Sequence, residues 1–201
     1  MSKGEATRQR IVAKAATIFN TRGIEGCSIQ DVMEATGLEK GGIYRHFANK
    51  DELAVAAFDY AWRAAFKKRV AGIDSPANSI DRLKRFIDNF IEQPPPVAGG
   101  CPLMNTAIQS DDGNPLLRAR ATKALAQWRN RLAKIIEQGK RKKEIRGIVK
   151  PKQLATFLVG SLEGALMICR LERNRKALKE ARRFLSSYLD TMARSPRRSK
   201  R

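Results

Sequence analysis

A chain of 201 residues, 42% of them hydrophobic, can bury the core of one large or two small domains, which excludes wholesale disorder. Its net charge of +20 indicates an anionic partner such as nucleic acid, although residues 1–50 contribute only +3 of it. The three cysteines are scattered and the N-terminus is too polar for a signal peptide, so we predict a reduced, cytoplasmic protein without a metal site or cofactor.

Helical spacing of apolar residues recurs along the chain, and no segment alternates as a strand would. The first predicted helix ends before Gly23. Ser28 then offers an N-cap with Asp31 three residues later, and Gly37 closes this second helix. After the turn, the pattern predicts a third helix of about seven residues, Lys40–His46. Two short helices joined by a glycine turn are the layout of a helix-turn-helix, whose second helix enters the major groove of DNA.

The rest of the chain divides at caps, prolines and glycines. The predicted starts and stops are a long helix after the cap pair Asn49 and Glu52, a helix from Ser75-Pro76, a loop at Pro94–Gly100, a short helix from Pro102 to Asp111-Asp112-Gly113, and helices from Asn114-Pro115, from Pro151 and around 178–192. The apolar run 154–169 is too short to span a membrane, so no membrane partner is expected.

These elements predict an all-α fold of about nine helices in three parts. Residues 1–50 form an N-terminal three-helix DNA-binding domain with the helix-turn-helix. Residues 51–194 form a separate C-terminal helical body that is expected to act as a control domain, and residues 195–201 form a basic disordered tail.

The third predicted helix has the chemistry of a DNA-recognition helix. Ile43 and Phe47, four residues apart, face inward, which leaves Lys40, Tyr44 and Arg45 free to point outward. Arginine is the commonest specific contact to DNA bases because its fork matches the two acceptors of guanine. Two successive glycines follow Lys40, although each costs about 1 kcal/mol relative to alanine inside a helix. They make sense if the backbone must approach the groove closely.

The stretch from Thr7 to Phe58 resembles the N-terminal domain of the TetR family of transcriptional regulators. The family's lysine-glycine-x-x-tyrosine-x-histidine-phenylalanine-x-x-lysine run is matched by Lys40, Gly41, Tyr44, His46, Phe47 and Lys50. The chain departs from the family pattern at two positions. Glu39 stands where the family usually has a serine cap, and Gly42 is smaller than the residue usually found there.

The resemblance implies an all-helical homodimer that binds a palindromic operator in double-stranded DNA, usually as a repressor released by a small-molecule effector. It implies a bacterial protein of the cytoplasm, associated with the nucleoid. Carried over by position, the implied phosphate contacts are Ser28, Lys40, Tyr44, His46 and Lys50. The implied base contacts are Arg45 and the exposed backbone of Gly41 and Gly42.

Large apolar side chains of the helical body are candidates for an effector pocket, with ordinary core packing as the alternative. These candidates are Trp62, Phe66, Phe90, Met104, Ile108, Trp128 and Phe157. Glu163 joins them because an acid inside an apolar helix must be paired or functional. It either holds a cationic ligand or pairs with an arginine across a dimer.

The last two helices are the candidate dimer interface, since Gly160 and Gly164 are four residues apart and let another helix approach closely. The alternative is that these glycines fit a neighbour inside the protomer. The candidate interface residues are Leu158, Gly160, Leu162, Gly164, Leu178, Ala181 and Leu185.

Two alternative functions remain open. A non-specific, charge-driven nucleic-acid binder would explain why most of the positive charge lies outside residues 1–50. Cys101 precedes a predicted helix N-terminus, where the dipole favours a thiolate, so a redox- or electrophile-sensing regulator is a hypothesis, with a small packed side chain as its alternative. An enzyme is not expected, because the chain has one histidine, no nucleophile elbow and no phosphate loop.

Overall fold

The computed structural model describes residues 2–110 and 113–194, and these residues form nine α-helices and no named strand, which confirms the predicted all-α fold. The helices are α1 Lys3–Arg22, α2 Ile29–Thr36, α3 Lys40–Tyr44, α4 Lys50–Arg69, α5 Ser79–Glu92, α6 Pro102–Ser110, α7 Pro115–Arg141, α8 Pro151–Glu172 and α9 Lys176–Met192. The predicted helix end at Asp111-Asp112 and the predicted tail at 195–201 lie outside the described residues.

The chain divides into two compact units. Unit 1 comprises Met1–Lys67 and Pro95–Leu125, and unit 2 comprises Lys68–Pro94 and Ala126–Arg201. Helices α4 and α7 therefore contribute residues to both units. Packing defines these units, so the functional division at residue 50 stays a prediction.

In unit 1, α1 packs on α2 around fully buried side chains such as Ile11, Val32 and Ile43. A polar network joins the end of α1 to the start of α6. The Asn20 side chain donates to the carbonyl of Ala98 at 2.6 Å, and the Asn105 side chain donates to the carbonyl of Asn20 at 3.0 Å. Buried amides need such partners, and these fix the loop before α6 against the helix that supports the helix-turn-helix.

In unit 2, α9 packs against both α5 and α8. The predicted start of α5 at Ser75-Pro76 is wrong, because the helix begins at Ser79. The physical reason is a better cap, since the Asn78 side chain accepts a hydrogen bond from the backbone N–H of Asp81 at 2.9 Å. Prolines at the first turn of α6, α7 and α8 were predicted correctly.

Within the described residues, α8 is the one helix whose length and composition would suit a membrane span, with a mean hydropathy of 1.6. The core helix of a soluble protein passes the same test, so this is weak evidence. Leu154, Leu158 and Leu162 on its inner face are buried inside unit 2.

Candidate nucleic-acid interface

Helix α2 is fixed at its start by a reciprocal cap. The Ser28 hydroxyl accepts from the backbone N–H of Asp31 at 3.3 Å, and the backbone N–H of Ser28 donates to the Asp31 carboxylate at 2.7 Å. The backbone N–H of Ser28 and the Ser28 hydroxyl both donate to the Asp31 carboxylate at 2.7 Å, and these two hydrogen bonds hold the pKa of Asp31 below its usual range. The cap predicted from the sequence is therefore confirmed. Ser28, for which a phosphate contact is also predicted, is the N-cap residue of α2.

The turn after α2 depends on a glycine backbone. Gly37 lies in the left-handed region at φ 67°, and its N–H donates to the carbonyl of Met33 at 2.8 Å. Helix α3 starts three residues later. It is shorter than predicted, because it ends at Tyr44 instead of His46. The N–H of His46 bonds to the carbonyl of Ile43, so the chain tightens into a 3₁₀-like turn there.

Helix α3 has a buried side and an exposed, basic side. Ile43 is completely buried and Phe47 nearly so, as the spacing predicted. Lys40, Tyr44 and Arg45 are exposed. The Lys40 ammonium lies 5.9 Å from the centre of the Tyr44 ring, close enough for a cation–π contact. One basic outer face on a short helix supplies both charge for phosphates and donors for bases.

His46 and Lys50 flank this face and are half-buried. Lys50 is the first residue of α4, whose entry is capped by the Asn49 side chain accepting from the N–H of Glu52 at 2.9 Å. Glu52 in return accepts from the N–H of Ala48 at 2.7 Å. The predicted cap pair is confirmed, and it fixes where Lys50 stands relative to α3.

The two glycines of α3 are not required by packing within the protein. A Cβ atom built on Gly41 would meet nothing within 4 Å, and one on Gly42 would lie 3.6 Å from the Leu38 side chain, an ordinary contact. Neither glycine has a positive φ. The folded chain would therefore accept alanine at both positions without a steric clash.

Glu39 occupies the N-cap position of α3 and forms no side-chain capping hydrogen bond. The position where the family usually has a serine cap therefore lacks a side-chain cap here. Glu39 leaves the first N–H groups of α3 free of side-chain competition and places an exposed acid beside the basic face.

Arg8 of α1 was not predicted as part of this region. Its guanidinium carbon lies 4.8 Å from the centre of the Phe47 ring, so α1 covers the inner side of the segment after α3. No spacing in the sequence links residues 8 and 47.

Helix α3 is short, has an exposed basic face and follows α2 after a glycine turn. This arrangement defines a helix-turn-helix DNA-binding protein. Comparison with known proteins agrees. Residues 11–57 match the model of the bacterial regulatory proteins, tetR family, and residues 79–185 match that of the tetracyclin repressor-like C-terminal domain. The chain therefore belongs to the TetR family and is a transcriptional regulator.

Solved and curated relatives cover nearly the whole chain. A TetR transcriptional regulator from Chloroflexus aurantiacus is 42% identical, with a TM-score of 0.91 over 96% of this chain and 99% of that one. A TetR-family regulator from Cytophaga hutchinsonii is 32% identical, with a TM-score of 0.91 over 98% and 99%. The HTH-type transcriptional repressor DhaR of a Mycobacterium species is 27% identical over 86% of this chain and 87% of that protein.

The predicted pocket residues divide between the two units. In unit 1, Trp62 and Phe66 of α4 contact each other with ring centres 5.6 Å apart, Met104 is half-buried, and Ile108 is 65% exposed. In unit 2, Phe90, Trp128 and Glu163 lie together, whereas Phe157 is half exposed and contacts Tyr188 at the surface. Exposure removes Ile108 and Phe157 from any enclosed pocket of a single protomer.

A small cavity of about 20 Å³ lies in unit 1, lined mostly by alanines and other apolar side chains of α1, α4 and α6. It has room for about one water molecule. It is therefore too small to hold a drug-sized effector in this conformation.

Glu163 is paired within its own chain. Its Oε1 lies 3.6 Å from Nη2 of Arg69, and both side chains are largely buried. Arg69 was missed in the sequence because it ends a basic run, Lys67-Lys68-Arg69. A signal existed, since Arg69 continues the four-residue spacing of the buried residues Ala57, Ala61 and Ala65.

Four leucines of the predicted dimer interface pack inside the protomer. Leu158, Leu162, Leu178 and Leu185 are buried in unit 2. Gly160, Gly164 and Ala181 are at least partly exposed, and a Cβ on either glycine would meet nothing within 4 Å. The glycines therefore do not accommodate a neighbour inside the protomer, which was the alternative explanation.

Cys101 is 2% exposed and directly precedes α6. Its sulfur accepts a hydrogen bond from the backbone N–H of Met104 at 3.5 Å. The thiol therefore acts as a cap for α6 and is shielded from solvent, which favours the packing explanation over the sensing one. Among the described residues, no group of three or more His, Cys, Asp and Glu side chains could hold a metal ion.

Proposed function

We propose that two copies of this chain bind a palindromic operator in the bacterial cytoplasm and repress transcription until a small molecule releases them. The observation that carries the proposal is the exposed basic face of α3 beside two glycines that the fold does not need. In the proposed complex, the backbone at Gly41 and Gly42 lies against the groove. Arg45 contacts bases, while Ser28, Lys40, Tyr44, His46 and Lys50 contact phosphates.

The proposed dimer uses the outer faces of α8 and α9. These faces carry apolar or small residues at helical spacing, all exposed or half-buried. They are Phe157, Gly160, Gly164, Ile168 and Leu171 on α8, and Ala177, Ala181, Phe184 and Tyr188 on α9. A continuous apolar surface of this kind marks an interaction site, and two copies would bury it as a four-helix interface. It also accounts for the high hydropathy of α8 without a membrane.

Selection of duplex DNA from a random pool tests the proposal. We expect one enriched inverted repeat whose half-site centres are about 34–36 Å apart, or a multiple of that spacing. The competing charge-driven binder would retain all sequences about equally and would release them together as salt rises. Retention without enrichment at moderate salt would contradict the proposed operator recognition.

The sensing hypothesis for Cys101 has its own experiment. Cys101→Ser is compared with the parent for release of the selected operator by peroxide or an electrophile. Equal release from both proteins would end this hypothesis and leave ligand binding as the releasing event.

A further inference from the structure

Residues from three helices, α5, α7 and α8, surround one buried cation in unit 2. Arg69, the last residue of α4, is only 7% exposed. Its guanidinium carbon lies 4.3 Å from the centre of the Trp128 ring and 4.9 Å from that of the Phe90 ring. The Glu163 carboxylate oxygen Oε1 lies 3.6 Å from Nη2 of Arg69. We call Phe90, Trp128 and Glu163 the cation cluster.

The cluster is organised around the cation as a preformed site would be. The rings of Phe90 and Trp128 are nearly parallel, with an interplanar angle of 19° and centres 5.8 Å apart. Phe86 supports Trp128 from a third direction, with ring centres 5.7 Å apart. Aromatic faces carry negative potential and attract flat, weakly hydrated cations such as guanidinium, and desolvation strengthens that attraction.

Arg69, the residue that fills the cation cluster, is the last residue of α4. The Asn89 side chain donates to the backbone carbonyls of Arg69 at 3.1 Å and Ala71 at 2.7 Å, which fixes the end of α4. The same helix begins at Lys50, beside the exposed face of α3. The Arg69 side chain therefore belongs to the same helix whose first residue borders the DNA-binding segment.

We propose that the cation cluster is the effector-binding site, that Arg69 is its resident cation in the effector-free protein, and that the effector is a flat monovalent cation of the guanidinium or amidinium class that takes the place of Arg69. This inference rests on the proposed function, because it assigns the chemistry of the releasing ligand. An anion fits the cluster poorly, since it would have to displace Glu163 and then lie against the negative faces of two rings.

Removal of the resident side chain tests the site directly. In an Arg69→Ala variant, N-ethylguanidinium replaces the deleted group, and N-ethylurea is a neutral probe of the same shape. A Trp62→Phe background leaves Trp128 as the single tryptophan, so its fluorescence reports binding. We expect N-ethylguanidinium to bind Arg69→Ala at least about tenfold more tightly than it binds the Arg69-containing protein.

Two comparisons make the result specific for a cation. N-ethylurea should bind Arg69→Ala at least about tenfold more weakly than N-ethylguanidinium, and adding Glu163→Gln should weaken guanidinium binding by a similar factor. Equal binding of the charged and neutral probes, or no dependence on Glu163, would overturn the proposal. If Arg69→Ala does not fold alone, its refolding yield with each probe gives the same comparison.

The effector role is tested with benzamidinium and neutral benzamide on the wild-type protein bound to its selected operator. Benzamidinium should lower operator affinity about tenfold, and benzamide should leave it unchanged. Equal operator affinity in the presence of benzamidinium and in the presence of benzamide would overturn the assigned effector class. If the selection yields no operator, the proposed function fails, while the Arg69→Ala titration still decides whether the cation site exists.

Discussion

The recognition segment, residues 28–50, and the cation cluster of unit 2 are built in opposite ways. In the segment, the capping hydrogen bonds join residues close in sequence, such as Ser28 with Asp31 and Asn49 with Glu52. In the cluster, Arg69 meets Glu163 from a distant helix and both groups are largely buried. Local, exposed contacts place functional groups in water, and long-range, buried contacts hold charged groups out of it.

This difference predicts different consequences of substitution. Changing an exposed charge alters stability by a few tenths of a kcal/mol, because water screens it. Changing a buried charge or an apolar interface costs several kcal/mol. Variants of unit 2 should therefore change assembly or stability, whereas variants of the recognition segment should change DNA affinity in a protein that folds normally.

The largest effect is expected at the proposed dimer face. Phe184 is 68% exposed in the protomer, and a two-fold interface would bury two copies of it. Phe184→Glu removes that burial twice and adds two charges, so dimerisation should weaken by at least about 3 kcal/mol. Sedimentation equilibrium measures this loss.

Ile148→Glu is the matched control for the dimer face. Ile148 is 78% exposed, but it lies between α7 and α8 and outside the proposed interface. The Ile148→Glu variant should dimerise like the parent. Equal dissociation constants for Phe184→Glu and the parent would place the dimer interface elsewhere.

The second effect concerns the buried pair of the cation cluster. Arg69→Met keeps most of the side-chain volume but leaves Glu163 without its cation, so the protein should lose about 3 kcal/mol of unfolding free energy. The double variant Arg69→Met/Glu163→Leu should lose clearly less than the sum of the single losses. Urea unfolding of the four proteins measures the coupling, and strictly additive losses would mean that the two groups do not interact.

The sequence predicted the recognition segment well because its signals are local. The Ser28 cap, the Gly37 turn and the inward pair Ile43 and Phe47 each follow from a spacing of a few residues. The misjudged ends have local causes of the same kind. Helix α3 tightens after Tyr44, and Asn78 outcompetes Ser75-Pro76 as the start of α5.

The cation cluster was only partly predictable, because periodicity shows which face of a helix is buried but not which helix it meets. Trp128 was predicted as one of several pocket candidates and Glu163 as an acid that needs a partner, yet their common partner Arg69 looked like the end of a basic run. The leucines of α8 and α9 illustrate the same limit. Leu158 and Leu185 were correctly seen as apolar helix positions, but only the packing assigns them to the protomer core.

The third prediction concerns base recognition by Arg45. Arg45→Ala should cost about 1–3 kcal/mol of operator affinity and relax specificity at one base position of each half-site. Arg63→Ala on α4 removes another exposed arginine, outside the recognition segment, and is the control. Binding titrations on single-base operator variants measure both. A uniform loss over all sequences would assign Arg45 to phosphate contact instead.

The smallest effect is expected at Gly41, where one added methyl group should change protein stability and DNA affinity in opposite directions. Gly41→Ala should stabilise the protein by up to about 1 kcal/mol, because alanine favours helix and its Cβ meets nothing within 4 Å. The same methyl group would fill space that the proposed complex gives to the groove, so operator affinity should fall. Gly37→Ala is the contrasting control, since φ 67° makes alanine strained there and should lower stability instead. A Gly41→Ala protein that is more stable and binds the operator as tightly as the parent would mean that this backbone does not approach the DNA.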